Sequence, residues 1–354
     1  MRACFTRHRS VLSFALVALA SASAACTIRT EPVGGAAGDP NEQVTEVVVV
    51  GTNVTSGIHV TGELGVTTLP KDANKLAVLG KGLKVSMHIS SPAPMDVDVL
   101  DTECTEPDAS AKGISIGVIL DDSGSMASSD PKRMRKDATV GFLNTLGADD
   151  RVLLTDYGKS GSNLRDLLCV SQGGAACSPP EAKFSSDKEA LIKATELIAN
   201  GGGTPLYESC VQMTPLVDTQ KGVRRGMLLL SDGRPNSESK RQACHDAAKA
   251  AQIPVFTVGL GPAAEGDARV DPRAVKVLRE LSTETGGSYA SANDAAQLDG
   301  LFQNMGAALA KGSCRTSAKV RGFDKLEPGS KVTGEITIGN KGAKSTFEFV
   351  TPER

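Results

Sequence analysis

The chain reads as an α/β protein: a doubly wound, mostly parallel sheet in the middle, inserted in or flanked by a β-sandwich formed by its N- and C-terminal segments. Three observations predict this. Ser115 to Leu120 and Met227 to Leu230 are short, unbroken apolar runs, as strands buried on both faces require. Stretches with helical spacing and proline-marked starts alternate with such runs. On both sides of residues 112 to 312, β-branched segments recur between Gly, Pro and Asn breaks.

From the N-terminus, Arg2, Arg7, His8 and Arg9 precede an apolar stretch from Val11 to Ala20, and small residues follow up to Cys26. This is the pattern of an export signal over residues 1–25, too short to span a bilayer. Ser23-Ala24-Ala25-Cys26 resembles a bacterial lipoprotein box, with Cys26 as the lipid-bearing residue, although Ser23 stands where such boxes usually carry leucine. Lipidation would anchor the chain to a membrane, and Thr27 favours the outer membrane or cell surface. Ala22-Ser23-Ala24 would also serve ordinary secretion, to the periplasm or beyond. Residues 26–43 are rich in Gly, Pro and Ala without apolar period and read as a flexible tether.

Within 44–105, strands are expected over Val44 to Val50, Ile58 to Leu64, Leu83 to Ile89 and Met95 to Leu100; within 315–354, over Ala318 to Phe323, Gly334 to Ile338 and Ser345 to Val350. A forty-residue tail buries little core alone, so it is expected to pair with the front flank. In the middle, Arg151 to Asp156 and Pro254 to Gly259 supply further strands. Asp130-Pro131 marks a helix start, with Met134, Ala138, Phe142 and Leu146 on one face. Asp271-Pro272 repeats the device before Val275, Leu278 and Leu281, and Leu298, Leu301, Phe302 and Met305 mark a last helix.

The net charge of −2 and the lack of Trp argue against a nucleic-acid surface, and 354 residues suggest two domains. Of eight cysteines, six remain beyond Cys4 and Cys26, and an even set in an exported chain favours disulfides. Cys169 and Cys177 flank a glycine loop, Cys104 and Cys314 bracket the central segment, and Cys210 and Cys244 lie on two expected helices. Other pairings, and free thiols for the last two, stay open. No C-x-x-C occurs, which argues against zinc.

The chemistry concentrates at strand ends. Asp121-Asp122-Ser123-Gly124-Ser125 follows the strand ending at Leu120, Asn200-Gly201-Gly202-Gly203 leads into Thr204, and Asp232 follows the strand ending at Leu230. Ligands of open α/β sheets gather outside the carboxyl ends of the strands. Hydroxyls from Ser123, Ser125 and Thr204, with Asp121 and Asp232 acting mainly through water, suit Mg²⁺, or Mn²⁺, with one position left for an outside carboxylate. Asp122 reads as a solvated residue at the rim.

Those five residues, in that order, resemble the metal-ion-dependent adhesion site of the von Willebrand factor type A domain, over residues 112 to 312. Leu278 to Leu281 and Thr285 to Tyr289 are similar to that family's late helix and strand. The resemblance implies a binding protein, not an enzyme, that captures an acidic side chain of a protein partner through the metal. It also implies coupling between ligand binding and a shift of the C-terminal helix, here Asn293 to Lys311. Insertion in a sandwich resembles integrin β subunits in architecture. A metal-dependent envelope assembly adaptor is the alternative, and a hydrolase a weaker one: no G-x-S-x-G or P-loop occurs, and of the four histidines only His245 lies in the central segment, on an expected helix surface.

Overall fold

The computed structural model describes residues 44, 47–55, 61–70, 83–105, 111–158, 161–174, 177–179, 182–265 and 267–351. The expected export signal, Cys26, the tether and the first residues of the strand expected from Ile58 lie outside them.

The central sheet comprises β5 (Ile114–Asp121), β6 (Arg151–Gly158), β7 (Gly161–Asp166), β8 (Arg224–Ser231), β9 (Val255–Leu260) and β10 (Tyr289–Ala292), in the order β10-β9-β8-β5-β6-β7. All neighbours pair in parallel except the edge strand β7. Every residue of β5 and β9 is buried, which is why these strands read as unbroken apolar runs. One face carries α2 (Met134–Thr145) and α8 (Ala295–Lys311), around Phe142 and Phe302, whose rings meet edge to face at 6.4 Å. The other carries α5 (Leu206–Asp218), α6 (Arg241–Ala250) and α7 (Pro272–Thr285). The chain leaves β5 toward β6 and β7, then resumes at β8 on the opposite side. The switch point therefore lies between the carboxyl ends of β5 and β8.

The flanks form two antiparallel sheets. One has the order β1 (Val47–Thr55), β2 (Thr61–Pro70), β11 (Ser313–Arg321), β4 (Val97–Thr105); the other, β13 (Ala343–Val350), β12 (Lys331–Ile338), β3 (Val85–Ser91). Their inner faces share one apolar core, including Leu64, Val66, Ile89, Val320, Ile336, Phe347 and Phe349. β11 is the hinge of this arrangement. It follows α8 after Gly312 alone and pairs with β2 on one side and β4 on the other, so residues from before and after the central domain build one sheet. β1 lies beside β10, and at Gly51 a Cβ would collide with the Tyr289 carbonyl, so the close approach needs glycine.

Several sequence expectations shift. The helix marked by Asp130-Pro131 begins later, at Met134, after a turn in which Arg133 adopts φ 56°. Asp130 still caps it: its carboxylate accepts from the Met134 and Arg135 backbone N–H groups. Asp271 caps α7 as expected, accepting from Arg273 N, with Pro272 at the first turn. The short helices α1 (Met126–Ser129), α3 (Leu167–Ser171) and α4 (Lys188–Ala194), and strand β7, were not foreseen.

Candidate metal centre

The structure brings three loops together at the switch point. Asp121 ends β5 and loop 1 continues from it to Ser125; loop 2 runs through Asn200 to Thr204 before α5; loop 3 follows β8 and carries Asp232 to Lys240 before α6. Gly124 N donates to Gly202 O at 3.1 Å and Gly201 N to Asp122 O at 2.7 Å, so the glycines of loop 2 lie on the backbone of loop 1. Asn236 of loop 3 accepts from Thr204 N through its side chain at 3.0 Å and donates its own N–H to Thr204 O at 2.9 Å. A Cβ at Gly203 would collide with that Asn236 amide.

Asp121 is fully buried and its carboxylate is held on all sides. It accepts from Ser123 N at 2.8 Å, Ser231 Oγ at 2.6 Å and Tyr157 OH at 3.0 Å. Ser123 Oγ and Ser125 Oγ share a hydrogen bond at 3.0 Å, and Ser125 Oγ donates to Asp232 Oδ1 at 2.8 Å. Four of the five expected residues thus form one bonded chain, and Asn236 holds the fifth, Thr204, on the adjoining loop. Ser125 is exposed while Asp121, Ser123 and Asp232 are buried, so the cluster is reached from the Ser125 side.

Charge is sorted around this cluster. Asp122, expected at the solvated rim, is instead fully buried and paired with Arg135 at 2.8 Å, because its side chain turns inward to accept twice from Ala199 N. Arg135, equally buried, also pairs with Asp130 at 2.7 Å and donates to Asn200 Oδ1 at 2.9 Å. Arg165 pairs with Asp156 and approaches Asp122 at 3.8 Å. Among the described residues no ion pair reaches Asp121 or Asp232. Burial, then the charge of Asp232, push the Asp121 carboxyl above its ordinary range, and burial, then Asp121, push the Tyr157 phenol up.

The donor set fits a divalent cation. Among the described residues the two neighbouring carboxylates have no basic partner within ion-pair distance, two hydroxyls stand between them, and the buried Asp232 Oδ2 makes no hydrogen bond. A hard cation with oxygen ligands would relieve all three conditions. Among the described residues no group of three or more His, Cys, Asp or Glu side chains is placed to hold a metal, so this hydroxyl-rich cluster differs in its donors from a Cys/His metal site.

The sheet order, with these residues at its switch point, agrees with the fold that the sequence resembles. The central domain has a von Willebrand factor type A-like fold. No protein-family model matches the chain. It is 29% identical to calcium-activated chloride channel regulator 1 of Equus caballus over 239 residues, 66% of this chain and 23% of that protein. The chain thus spans about a quarter of that relative's length. Among solved structures it is similar to a von Willebrand factor type A protein of Catenulispora acidiphila, at 13% identity and TM-score 0.47, over 87% of this chain and 73% of the other. It is also similar to the manganese-loaded TRAP protein of Plasmodium vivax, at 14% identity and TM-score 0.38, over 73% and 100%.

Sequence reasoning missed Tyr157, Ser231, Asn236 and Arg135. Arg135 carried a signal: with Ala138, Thr139, Phe142 and Leu143 it stands on the buried stripe of the type A domain's α2. Replacing it with methionine would remove the close ion pairs of the buried Asp122 and Asp130, leaving Asp122 only Arg165 at 3.8 Å. Urea denaturation is expected to show a loss of about 3–5 kcal/mol, against less than about 1 kcal/mol for Lys136→Met, which removes a half-buried lysine from its ion pair with the exposed Glu196.

The structure also closes Cys104 with Cys314, Cys169 with Cys177 and Cys210 with Cys244. His245, expected on a helix surface, is instead buried, and its Nδ1 lies 2.8 Å from Glu284 of α7, because α6 packs that face on α7.

Proposed function

We propose that this chain is an exported binding protein whose type A domain captures an acidic side chain of a protein partner through Mg²⁺ held by Asp121, Ser123, Ser125, Thr204 and Asp232. The observation that carries this reading is the sorting of charge: Asp122, Asp130 and Asp156 are neutralised by arginines, while Asp121 and Asp232 are left to each other beside two hydroxyls. When bound, the cation would supply an electrophilic position for a carboxylate from outside.

The protein's own groups perform the rest. Tyr157, Ser231 and the Ser123 N–H fix the Asp121 carboxylate in one orientation. Ser125, on the exposed side, and the glycines at 124 and 202 let a ligand approach without steric hindrance. The bonding of Ser123 and Ser125, either of which a hydrolase would use as nucleophile, supports binding over hydrolysis: they bond each other, Ser125 donates to Asp232, and His245 is engaged with Glu284. Anchoring through a lipidated Cys26, at the outer membrane or cell surface, completes the proposal. No helix of the described residues is long and apolar enough to cross a membrane.

Calorimetric titration of the purified chain with Mg²⁺ and Mn²⁺ should reveal one site. Envelope extract passed over the immobilised chain should yield a partner in Mg²⁺ that EDTA releases. Absence of a saturable cation site, or a partner retained equally in EDTA, would overturn the reading.

A further inference from the structure

α5 starts two residues after Thr204, and α6 starts at Arg241, at the end of the loop that begins with Asp232. The two helices are joined by the Cys210–Cys244 disulfide, with both cysteines wholly buried. Cys210 lies four residues into α5, roughly 6 Å along its axis from Leu206. The bond thus sits about one turn beneath the two loops that carry Thr204 and Asp232.

α6 buries few apolar side chains. Its buried side chains are Cys244, His245 and Ala248, of which two are small, so apolar burial holds this ten-residue helix weakly. Its polar ties run to α7, through Arg241 to Glu280 at 2.5 Å and His245 to Glu284. Toward α5, the loop tips are tied by the Asn236 bonds to Thr204, and the helices by the Tyr207 and His245 rings, 6.1 Å apart, and covalently by the disulfide. Non-covalent contacts between the two helices can slide, and a covalent bond about one turn below the loop tips fixes the spacing they leave adjustable.

We propose that the Cys210–Cys244 disulfide is a positioning element of the metal centre: it sets the relation between Thr204 and Asp232, so that cation affinity and the redox state of this bond are linked. The inference rests on the metal reading above. Groups that orient metal ligands without touching the metal commonly change affinity about 10–100-fold when removed. The coupling is reciprocal, because a bond that favours the metal-competent arrangement must itself be favoured by the metal.

The test has two arms on the full mature chain. In the first, Mn²⁺ affinity is measured by calorimetry for the native chain, for Cys210→Ser/Cys244→Ser and for Cys169→Ser/Cys177→Ser, whose bond closes a short loop after β7. The 210/244 variant should bind Mn²⁺ about tenfold more weakly, while the 169/177 variant keeps native affinity. In the second, the native chain is equilibrated in glutathione buffers with and without saturating Mn²⁺, alkylated, and the Cys210–Cys244 peptide quantified. A tenfold coupling corresponds to a midpoint about 30 mV more reducing with the metal. A folded 210/244 variant with native affinity, or a midpoint that Mn²⁺ leaves in place, overturns the proposal. Should the variant fail to fold, the second arm decides alone. If the native chain takes up no Mn²⁺, the metal reading itself falls and takes this inference with it, an outcome distinct from a native chain that binds and shows no coupling.

Discussion

Asp121→Ala is expected to abolish cation binding, and the effect should appear as a loss of metal-dependent stability. A ligand that binds only the folded state stabilises it by about 2.7 kcal/mol at a hundredfold excess over Kd. Native protein should therefore gain that amount in urea denaturation with Mg²⁺, and Asp121→Ala should gain nothing. In the absence of metal the variant faces opposing terms. Ser123 N, Ser231 Oγ and Tyr157 OH lose their acceptor, at about 1–3 kcal/mol for a buried group left unsatisfied. Against this, a carboxylate disfavoured by burial and by Asp232 is removed.

Asp121→Asn separates the two contributions. Its Oδ1 still accepts from Ser123 N, and its Nδ2 can donate to the Ser231 and Tyr157 hydroxyls, which accept as well as donate. The charge is lost, so it should fail to bind Mg²⁺ while holding most of the metal-free stability. Ser123→Ala and Thr204→Ala each remove a neutral oxygen that water replaces, and should weaken binding less than either Asp121 change. A Mg²⁺ stabilisation that survives in Asp121→Asn would exclude this carboxylate from the centre.

The contrast between Asp121 and Asp122 shows what the sequence carries. Apolar runs ending in acidic turns located β5 and β8, because burial on both faces keeps their polar residues to the strand ends, outside Ile116 to Leu120 and Met227 to Leu230. The loops that meet at their ends were legible as well, since Asp, Ser, Thr and Gly in those places have few other uses. The direction of a side chain was not legible. Asp121 and Asp122 are adjacent and chemically identical, and only the fold aims one at the hydroxyls and the other at Arg135, which itself breaks the expectation that a helix turns its arginines to water. The same limit blurred the sandwich. β11 begins five residues before the expected Ala318, because its inward positions include Thr316, whose hydroxyl meets Thr102 at 3.0 Å. Strand β7, Gly-Ser-Asn-Leu-Arg-Asp, offers one apolar side chain and no period to read.

The largest loss of stability without loss of metal is expected from Cys104→Ser/Cys314→Ser. The bond spans 210 residues, and closing so long a loop in the unfolded chain is worth about 5 kcal/mol in the chain-entropy model, an upper figure because residual structure reduces it. Its position suggests why the metal centre should be spared. Cys314 stands in β11, directly opposite Cys104 of β4 and also opposite Thr68 of β2, so the ladder on both sides keeps the strand in place when the bond is gone. β11 follows α8 through a single glycine, and α8 is packed through Leu298, Phe302 and Met305 against the sheet and α2. A downward shift of α8, the movement implied by the resemblance to other type A domains, would have to drag β11 out of register between two partners, with or without the disulfide. The variant should therefore unfold at a lower urea concentration yet bind Mn²⁺ and the partner within about threefold of native, a difference under 1 kcal/mol. Affinity would then be a fixed property of this centre. A variant whose partner affinity changes more than tenfold would show instead that the bond restrains a helix able to move, and that the sandwich reports on the metal site.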